Sequence, residues 1–145
     1  MNLYEPTEHQ NDRDGFRWSS KRVAAGELMG GTVYDLPPGE RTPPYHYHHG
    51  IEEWLLVVSG TPTLRMPEGE RRLREGDVVV FRQGPDGAHT VTGPGRVLIV
   101  SNLVYPSVSV YPDSDKVGPR PSPDPNHPDR LNFLRSSAVD YWEGE

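Results

Sequence analysis

Short runs of alternating or continuous apolar residues follow one another along the middle of the chain. They predict nine strands, at residues 16–22, 31–36, 53–59, 61–66, 71–73, 78–81, 89–92, 96–104 and 108–111. Turns rich in glycine and proline, such as Pro37-Pro38-Gly39, separate these runs. Evenly spaced short strands without a long helical period are typical of an all-β barrel or sandwich.

Two segments fall outside this rhythm. We interpret residues 1–15 as an irregular N-terminal arm and residues 16–111 as one barrel, because the chain has no internal repeat. Residues 112–145 begin with a stretch rich in Pro and Asp, 113–130, which should lack regular structure. The apolar residues that follow are too many for a disordered tail: Leu131, Phe133, Leu134, Val139, Tyr141 and Trp142. We therefore predict a C-terminal tail packed on the barrel.

The strand predicted at 53–59 is apolar on both faces. Alternation puts Leu55 and Val57 on the side of Glu53, and Trp54, Leu56 and Val58 on the other side. A small barrel fills only one of these faces with its own interior. We therefore expect a second sheet, the tail or a partner to cover the outer face, and we predict a homodimer.

Composition excludes several classes of partner and of chemistry. The 145 residues include no cysteine, which excludes disulfides, thiolate metal ligands and a cysteine nucleophile. The net charge of −6 argues against a nucleic-acid partner, since a phosphate backbone attracts a basic face. The longest fully apolar run is 54–58, far short of the roughly 20 residues of a membrane span. We expect a cytoplasmic protein that binds no membrane.

Two histidines and a glutamate form the first chemical cluster. His46 and His48 are two residues apart, so in an extended chain both side chains point to the same face, with Cα atoms roughly 6.6 Å apart. Both imidazoles can then reach one metal ion. Glu53 opens a buried strand, where a carboxylate needs a partner such as a cation. His89 begins another strand after a glycine-rich turn and could complete a site of three histidines and one carboxylate.

These segments resemble the two sequence motifs of the cupin superfamily, in its small single-domain form. The first motif is matched by His46, His48, Glu53 and Gly60, and the second by Gly76, Gly84 and His89. The second motif departs from the family pattern at Arg82, where proline is usual, and at Gly93, where asparagine is usual, and two residues are added before His89. None of these changes touches the four motif residues with metal-binding side chains.

The resemblance implies a cupin jelly-roll β-barrel, also described as a double-stranded β-helix, with one divalent metal ion inside. It implies the ligands His46, His48, Glu53 and His89, and it selects Glu53 rather than Glu52 because six residues separate Glu53 from Gly60. Donors of this type suit Mn, Fe, Ni, Co or Zn. His49 points away from His48 and is expected at the surface.

The function remains open among three alternatives. The first is a metal-dependent isomerase, decarboxylase or dioxygenase that acts on a small oxygen-rich molecule, such as a hydroxy or keto acid, a sugar derivative or a diol. The second is a non-catalytic module that binds or senses a small molecule, and the third is a structural homodimer with a vestigial site. We favour the enzyme, although no catalytic residue can be assigned. Arg82 is a candidate anion-binding group at the mouth, but a solvated arginine on a turn is the simpler interpretation.

Overall fold

The computed structural model describes residues 2–145, and in this range it contains strands and three short 3₁₀ turns but no α-helix. In the same range no helix is long and apolar enough to cross a bilayer. The strands are β1 (His9–Asn11), β2 (Trp18–Ala25), β3 (Met29–Leu36), β4 (Tyr47–His49), β5 (Glu53–Gly60), β6 (Thr63–Met66), β7 (Gly69–Arg72), β8 (Val78–Phe81), β9 (Thr90–Thr92), β10 (Gly95–Asn102), β11 (Ser107–Tyr111), β12 (Lys116–Arg120) and β13 (Phe133–Leu134).

These strands form three antiparallel sheets. The largest has the order β1-β2-β3-β10-β5-β8, and the others have the orders β13-β12-β11-β4 and β7-β6-β9. The predicted all-β jelly roll is confirmed, but hydrogen bonding does not close the sheets into one continuous barrel. The sheets are linked instead by isolated bridges, one of which joins His46 to His89.

The hydrophobic core lies between the inner face of the six-stranded sheet and the small sheet of β6 and β9. Leu55, Val57 and Val97 come from the large sheet, and Leu64 and Val91 come from the small one; all five are at most 1% exposed. The alternation of β5 therefore places Glu53 on the core side, at the end of this apolar row. On the opposite face Val58 is buried but Trp54 is 48% exposed, so the outer face of β5 is only partly covered, whereas the sequence predicted burial on both faces.

Part of the N-terminal arm is a strand, which corrects the prediction of an irregular segment. β1 pairs with β2 at the edge of the large sheet. Arg96 fixes the residues that precede β1. Its guanidinium binds both carboxylate oxygens of Asp35 at 2.6 Å and donates hydrogen bonds to the carbonyl oxygens of Leu3 and Glu5. The arm was missed because three polar residues, His9–Asn11, carry no apolar alternation.

The C-terminal segment also differs from its prediction. β12 lies inside the stretch predicted to be irregular and pairs with β11, and β13 pairs with β12. The tail thus contacts the sheet through its backbone. Its six apolar side chains nevertheless remain exposed, from 47% for Phe133 to 84% for Tyr141. The prediction that they pack against the barrel is wrong for a single copy of the chain.

This arrangement predicts different effects for two truncations. Ending the chain after Arg120 removes mostly exposed side chains and should cost less than about 1 kcal/mol, or a few degrees in melting temperature. Ending it after Tyr111 also removes β12 and leaves β11 unpaired on that side, so it should lower the melting temperature further. Thermal unfolding followed by circular dichroism compares the two. Equal melting temperatures for both truncations would contradict the role given to β12.

Candidate metal centre

A backbone bridge, strand β4 and strand β5 together position the four predicted residues. His46 and His89 face each other across a bridge with reciprocal backbone hydrogen bonds of 3.1 and 2.9 Å. His48 lies on β4, and Glu53 is the first residue of β5. The site therefore forms where β4 and β5, which belong to two sheets, meet the start of β9, which belongs to the third.

Two of the histidines meet at one carboxylate oxygen of Glu53. The Nε2 atoms of His48 and His89 both lie 3.4 Å from Glu53 Oε2. The ring of His46 has its centroid 4.7 Å from that of His48 and 4.9 Å from that of His89. One donor atom each from His46, His48 and Glu53 lie within 4.8 Å of one another. Donors that share an ion at about 2.1 Å are about 3.0–3.4 Å apart when adjacent, so a small adjustment would bring these atoms onto one ion.

The other ring nitrogen of each histidine has a hydrogen-bond partner. His46 Nδ1 lies 2.8 Å from the Pro44 carbonyl oxygen, and His89 Nδ1 lies 3.0 Å from the Gly87 carbonyl oxygen. Since a carbonyl oxygen only accepts, both Nδ1 atoms carry the proton and both Nε2 atoms are free to bind a cation.

Two further contacts orient the site. His48 Nδ1 lies 3.1 Å from Ser109 Oγ, and the ring of Phe81 stacks on His89 with centroids 3.6 Å apart. Ser109 is buried on β11, the strand that pairs directly with β4. The sequence did not identify Ser109, because its contact with His48 depends on the pairing of β11 with β4.

The protonation states suit metal binding. Burial, together with the neighbouring His89 and His48, lowers the pKa of His46 to about 3, and burial also lowers the pKa of His89. For Glu53, burial raises the pKa, but the hydrogen bond with His48 and the three neighbouring imidazoles outweigh this and lower the pKa to about 2. At neutral pH His46 and His89 are therefore neutral and Glu53 is a carboxylate, the forms that ligate metals.

Three residues that compete for these roles lie elsewhere. His49 is exposed and stacks edge-on against Tyr47, as expected for the opposite face. Glu52 is exposed and accepts a hydrogen bond of 2.9 Å from Trp54 Nε1. Arg82 is exposed and, among residues 2–145, has no side-chain hydrogen bond or ion pair.

A polar cavity of about 180 Å³ opens beside Glu53. The hydroxyl-bearing residues Thr32, Tyr34, Ser101 and Tyr105 line it, with Arg22 at its wall. Burial, assisted by the charge of Glu53, raises the pKa of Tyr34 to about 12, so its hydroxyl keeps its proton at neutral pH. Sequence reasoning missed this lining, since it depends on which strands are neighbours.

A family model described as a cupin domain matches residues 32–101, the segment that contains the candidate ligands His46, His48, Glu53 and His89. Among solved structures, the chain is similar to a candidate sugar phosphate isomerase from Acidithiobacillus ferrooxidans (23% identity over 87% of this chain and 81% of that one, TM-score 0.76). It is also similar to a sugar phosphate isomerase from Silicibacter pomeroyi (20% identity, 83% and 78%, TM-score 0.74) and to KdgF from Halomonas sp. (18% identity, 70% and 91%, TM-score 0.55). No curated protein matches the chain. At these identities the structural likenesses establish the fold alone.

Proposed function

We infer that this chain belongs to the cupin superfamily, and we propose that it is a metalloenzyme that acts on a small oxygen-rich molecule. His46, His48, Glu53 and His89 would hold one divalent ion. The observation that carries the proposal is the convergence of two Nε2 atoms on one oxygen of Glu53, each at 3.4 Å. In the described residues Glu53 has no lysine or arginine to neutralise it, which leaves a cation as the natural partner of a buried carboxylate.

When bound, the ion would supply a Lewis acid or redox centre. The chain's own residues have separate tasks. The carbonyl oxygens of Pro44 and Gly87 hold the Nδ1 protons and so fix the direction of the imidazoles. Tyr34 keeps its proton and can donate a hydrogen bond to an oxygen of the substrate. The size of the cavity, about 180 Å³, restricts the substrate to a small molecule.

Two relatives in fold are named as sugar phosphate isomerases, one of them as a candidate. A sugar derivative is one of the three substrate types that the donor set favours, so these names support that choice over a hydroxy acid or a simple diol. A non-catalytic binding module would use the same ligands. Turnover distinguishes the two.

The direct test is elemental analysis of the purified chain, followed by a screen for turnover. We expect about one divalent ion per chain. We also expect conversion of an aldose or ketose derivative, which NMR of the reaction mixture would measure. Oxygen uptake would indicate a dioxygenase instead. Loading with Mn, Fe, Co, Ni or Zn without any stoichiometric binding would contradict the proposal.

We also propose that two copies of the chain form a homodimer. The outer face of β5 and β8 carries Trp54 and Val78, which are 48% and 56% exposed. Leu56 and Leu98 adjoin them through the cross-strand pairs Leu56↔Val78 and Leu56↔Leu98. An apolar patch of this kind on an edge of a sheet favours association.

Light scattering should give twice the 16.3 kDa of the chain at micromolar concentration. Changing Leu56 and Val78 to lysine should return the monomer mass, because it would place charges in the apolar contact. Changing two exposed polar residues of β7, Glu70 and Arg71, to lysine and glutamate serves as the control. A wild-type mass of one chain would refute the dimer.

A further inference from the structure

We propose that Arg22 is the anion-binding residue of this site, which would make the substrate a molecule with a carboxylate or phosphate group. The inference rests on the proposed function, because the same cavity would hold the rest of that molecule. Its basis is the placement of Arg22 and Glu53 on one inner surface of the large sheet, at opposite sides of the cavity.

The strand register aligns the residues of this surface. Glu53 on β5 pairs with Ser101 on β10, and Ser101 pairs with Gly30 on β3. Arg22 on β2 pairs with Thr32, two residues further along β3. Directly paired residues and their diagonal neighbours share one face of a sheet, so Arg22 and Gly30 face the same side as Glu53.

The absence of a side chain at Gly30 makes room for the guanidinium. A Cβ atom built there would lie 2.8 Å from Arg22 Nη2 and 3.2 Å from a methyl group of Leu103. Gly30 has no positive φ, so its backbone does not require glycine. The close approach is therefore the structural reason for glycine here, and it lets Arg22 extend into the row of Ser101 and Glu53.

Arg22 also differs in its partners from the other cations on or next to this sheet. Arg96 binds Asp35, Arg17 binds Asp14 and Glu40, and Lys21 binds Glu5 and Glu8. Within residues 2–145, Arg22 makes no side-chain hydrogen bond and no ion pair. It is exposed at the cavity wall, where an anion arriving from solvent can reach it.

The chemistry of the two sides is complementary. A guanidinium presents parallel N–H donors that bind two oxygens of a carboxylate or a phosphate. Neighbouring strands are about 4.8 Å apart, so β2 stands roughly 14 Å from β5, and the Arg22 guanidinium, which lies beside Gly30 on β3, stands roughly 10 Å from it. A short molecule can thus place its anionic group at Arg22 and its other oxygens beside Glu53.

The test uses the full chain, loaded with one equivalent of zinc and labelled with ¹⁵N, and titrated with inorganic phosphate and separately with acetate. Amide shifts at Gly30 and Ser101 report binding. Arg22→Gln should weaken phosphate binding by about tenfold or more, the loss expected when a charged hydrogen-bond donor is removed. Arg71→Gln, at an exposed position of β7 outside the cavity, is the matched control and should leave binding unchanged.

A second pair of variants tests the placement rather than the charge. Gly30→Ala should displace the guanidinium and weaken phosphate binding, although less than Arg22→Gln. Gly31→Ala is its control, because a Cβ there meets only side-chain atoms at 3.5 Å or more. This pair keeps the inference testable if Arg22→Gln folds poorly.

The possible outcomes separate this inference from the metal site. A response to phosphate alone or to both anions supports it and identifies the anionic group. No saturable response in the wild type, or equal binding by wild type and Arg22→Gln, would overturn it. Zinc content is measured in each sample, so a chain that fails to bind zinc contradicts the proposed metal function, while the Arg22 comparison is then made on the metal-free chain.

Discussion

Replacing His46 or His89 with alanine, or Glu53 with glutamine, is expected to remove most of the bound metal. Each change deletes one donor from a set of four, and the remaining groups cannot supply another because Glu52 and His49 face away. Loss of an outer-shell partner alone costs about 10–100-fold in metal affinity, so loss of a ligand should cost at least about 100-fold. Elemental analysis after equilibrium with limiting metal measures the effect.

The controls for this prediction are adjacent in the sequence. Glu52→Gln and His49→Ala should retain the wild-type metal content, since both side chains are exposed on the opposite face. Circular dichroism of each variant checks that the fold is kept. Full occupancy in Glu53→Gln, combined with loss in Glu52→Gln, would reverse the assignment of the carboxylate ligand.

Among substitutions that add a single methyl group beside the site, Gly87→Ala should lower the stability of the fold most. A Cβ at Gly87 would overlap the carbonyl oxygen of Arg82 and lie 2.7 Å from its carbonyl carbon and 2.8 Å from its nitrogen. These are backbone atoms of the same turn, which cannot move aside as a flexible side chain can. We expect a loss of about 3 kcal/mol or more in the free energy of unfolding.

The same substitution should also weaken metal binding. The carbonyl oxygen of Gly87 accepts the Nδ1 proton of His89, so displacing the turn would misdirect the imidazole. Chemical denaturation and metal titration measure the two effects. Gly26→Ala is the control, because the nearest atom to its Cβ is the Met29 carbonyl oxygen at an ordinary 3.6 Å. Equal stability of the two variants would contradict the prediction.

Most of the large sheet could be predicted because its strands alternate. In β5 the buried Leu55 and Val57 alternate with the more exposed Trp54 and Leu56, and the bounds of β5 and β10 match the predicted runs 53–59 and 96–104 to within two residues. β1, β4 and β12 were missed because short strands of polar or mixed residues owe their form to a neighbouring strand, and β13 was missed because two apolar residues are too few to show a period.

The candidate site divides in the same way. His46, His48 and Glu53 lie within eight residues, and their mutual placement follows from two-residue periodicity and a short loop. Ser109 is 61 residues from His48 in the sequence, yet the pairing of β11 with β4 brings them together. No local pattern could have predicted that contact.

The sequence alone determined the all-β class and the histidines and glutamate that are candidates for metal binding, because side-chain chemistry and strand alternation are local properties. Only the tertiary structure decided which arginine stands beside the site. Arg82 is near the second motif in sequence but lies outside the cavity. Arg22 lines the cavity, although it is more than twenty residues before His46 in the sequence. The physical reason is strand pairing: hydrogen bonds between β2, β3, β10 and β5 put residues from four distant segments on one surface.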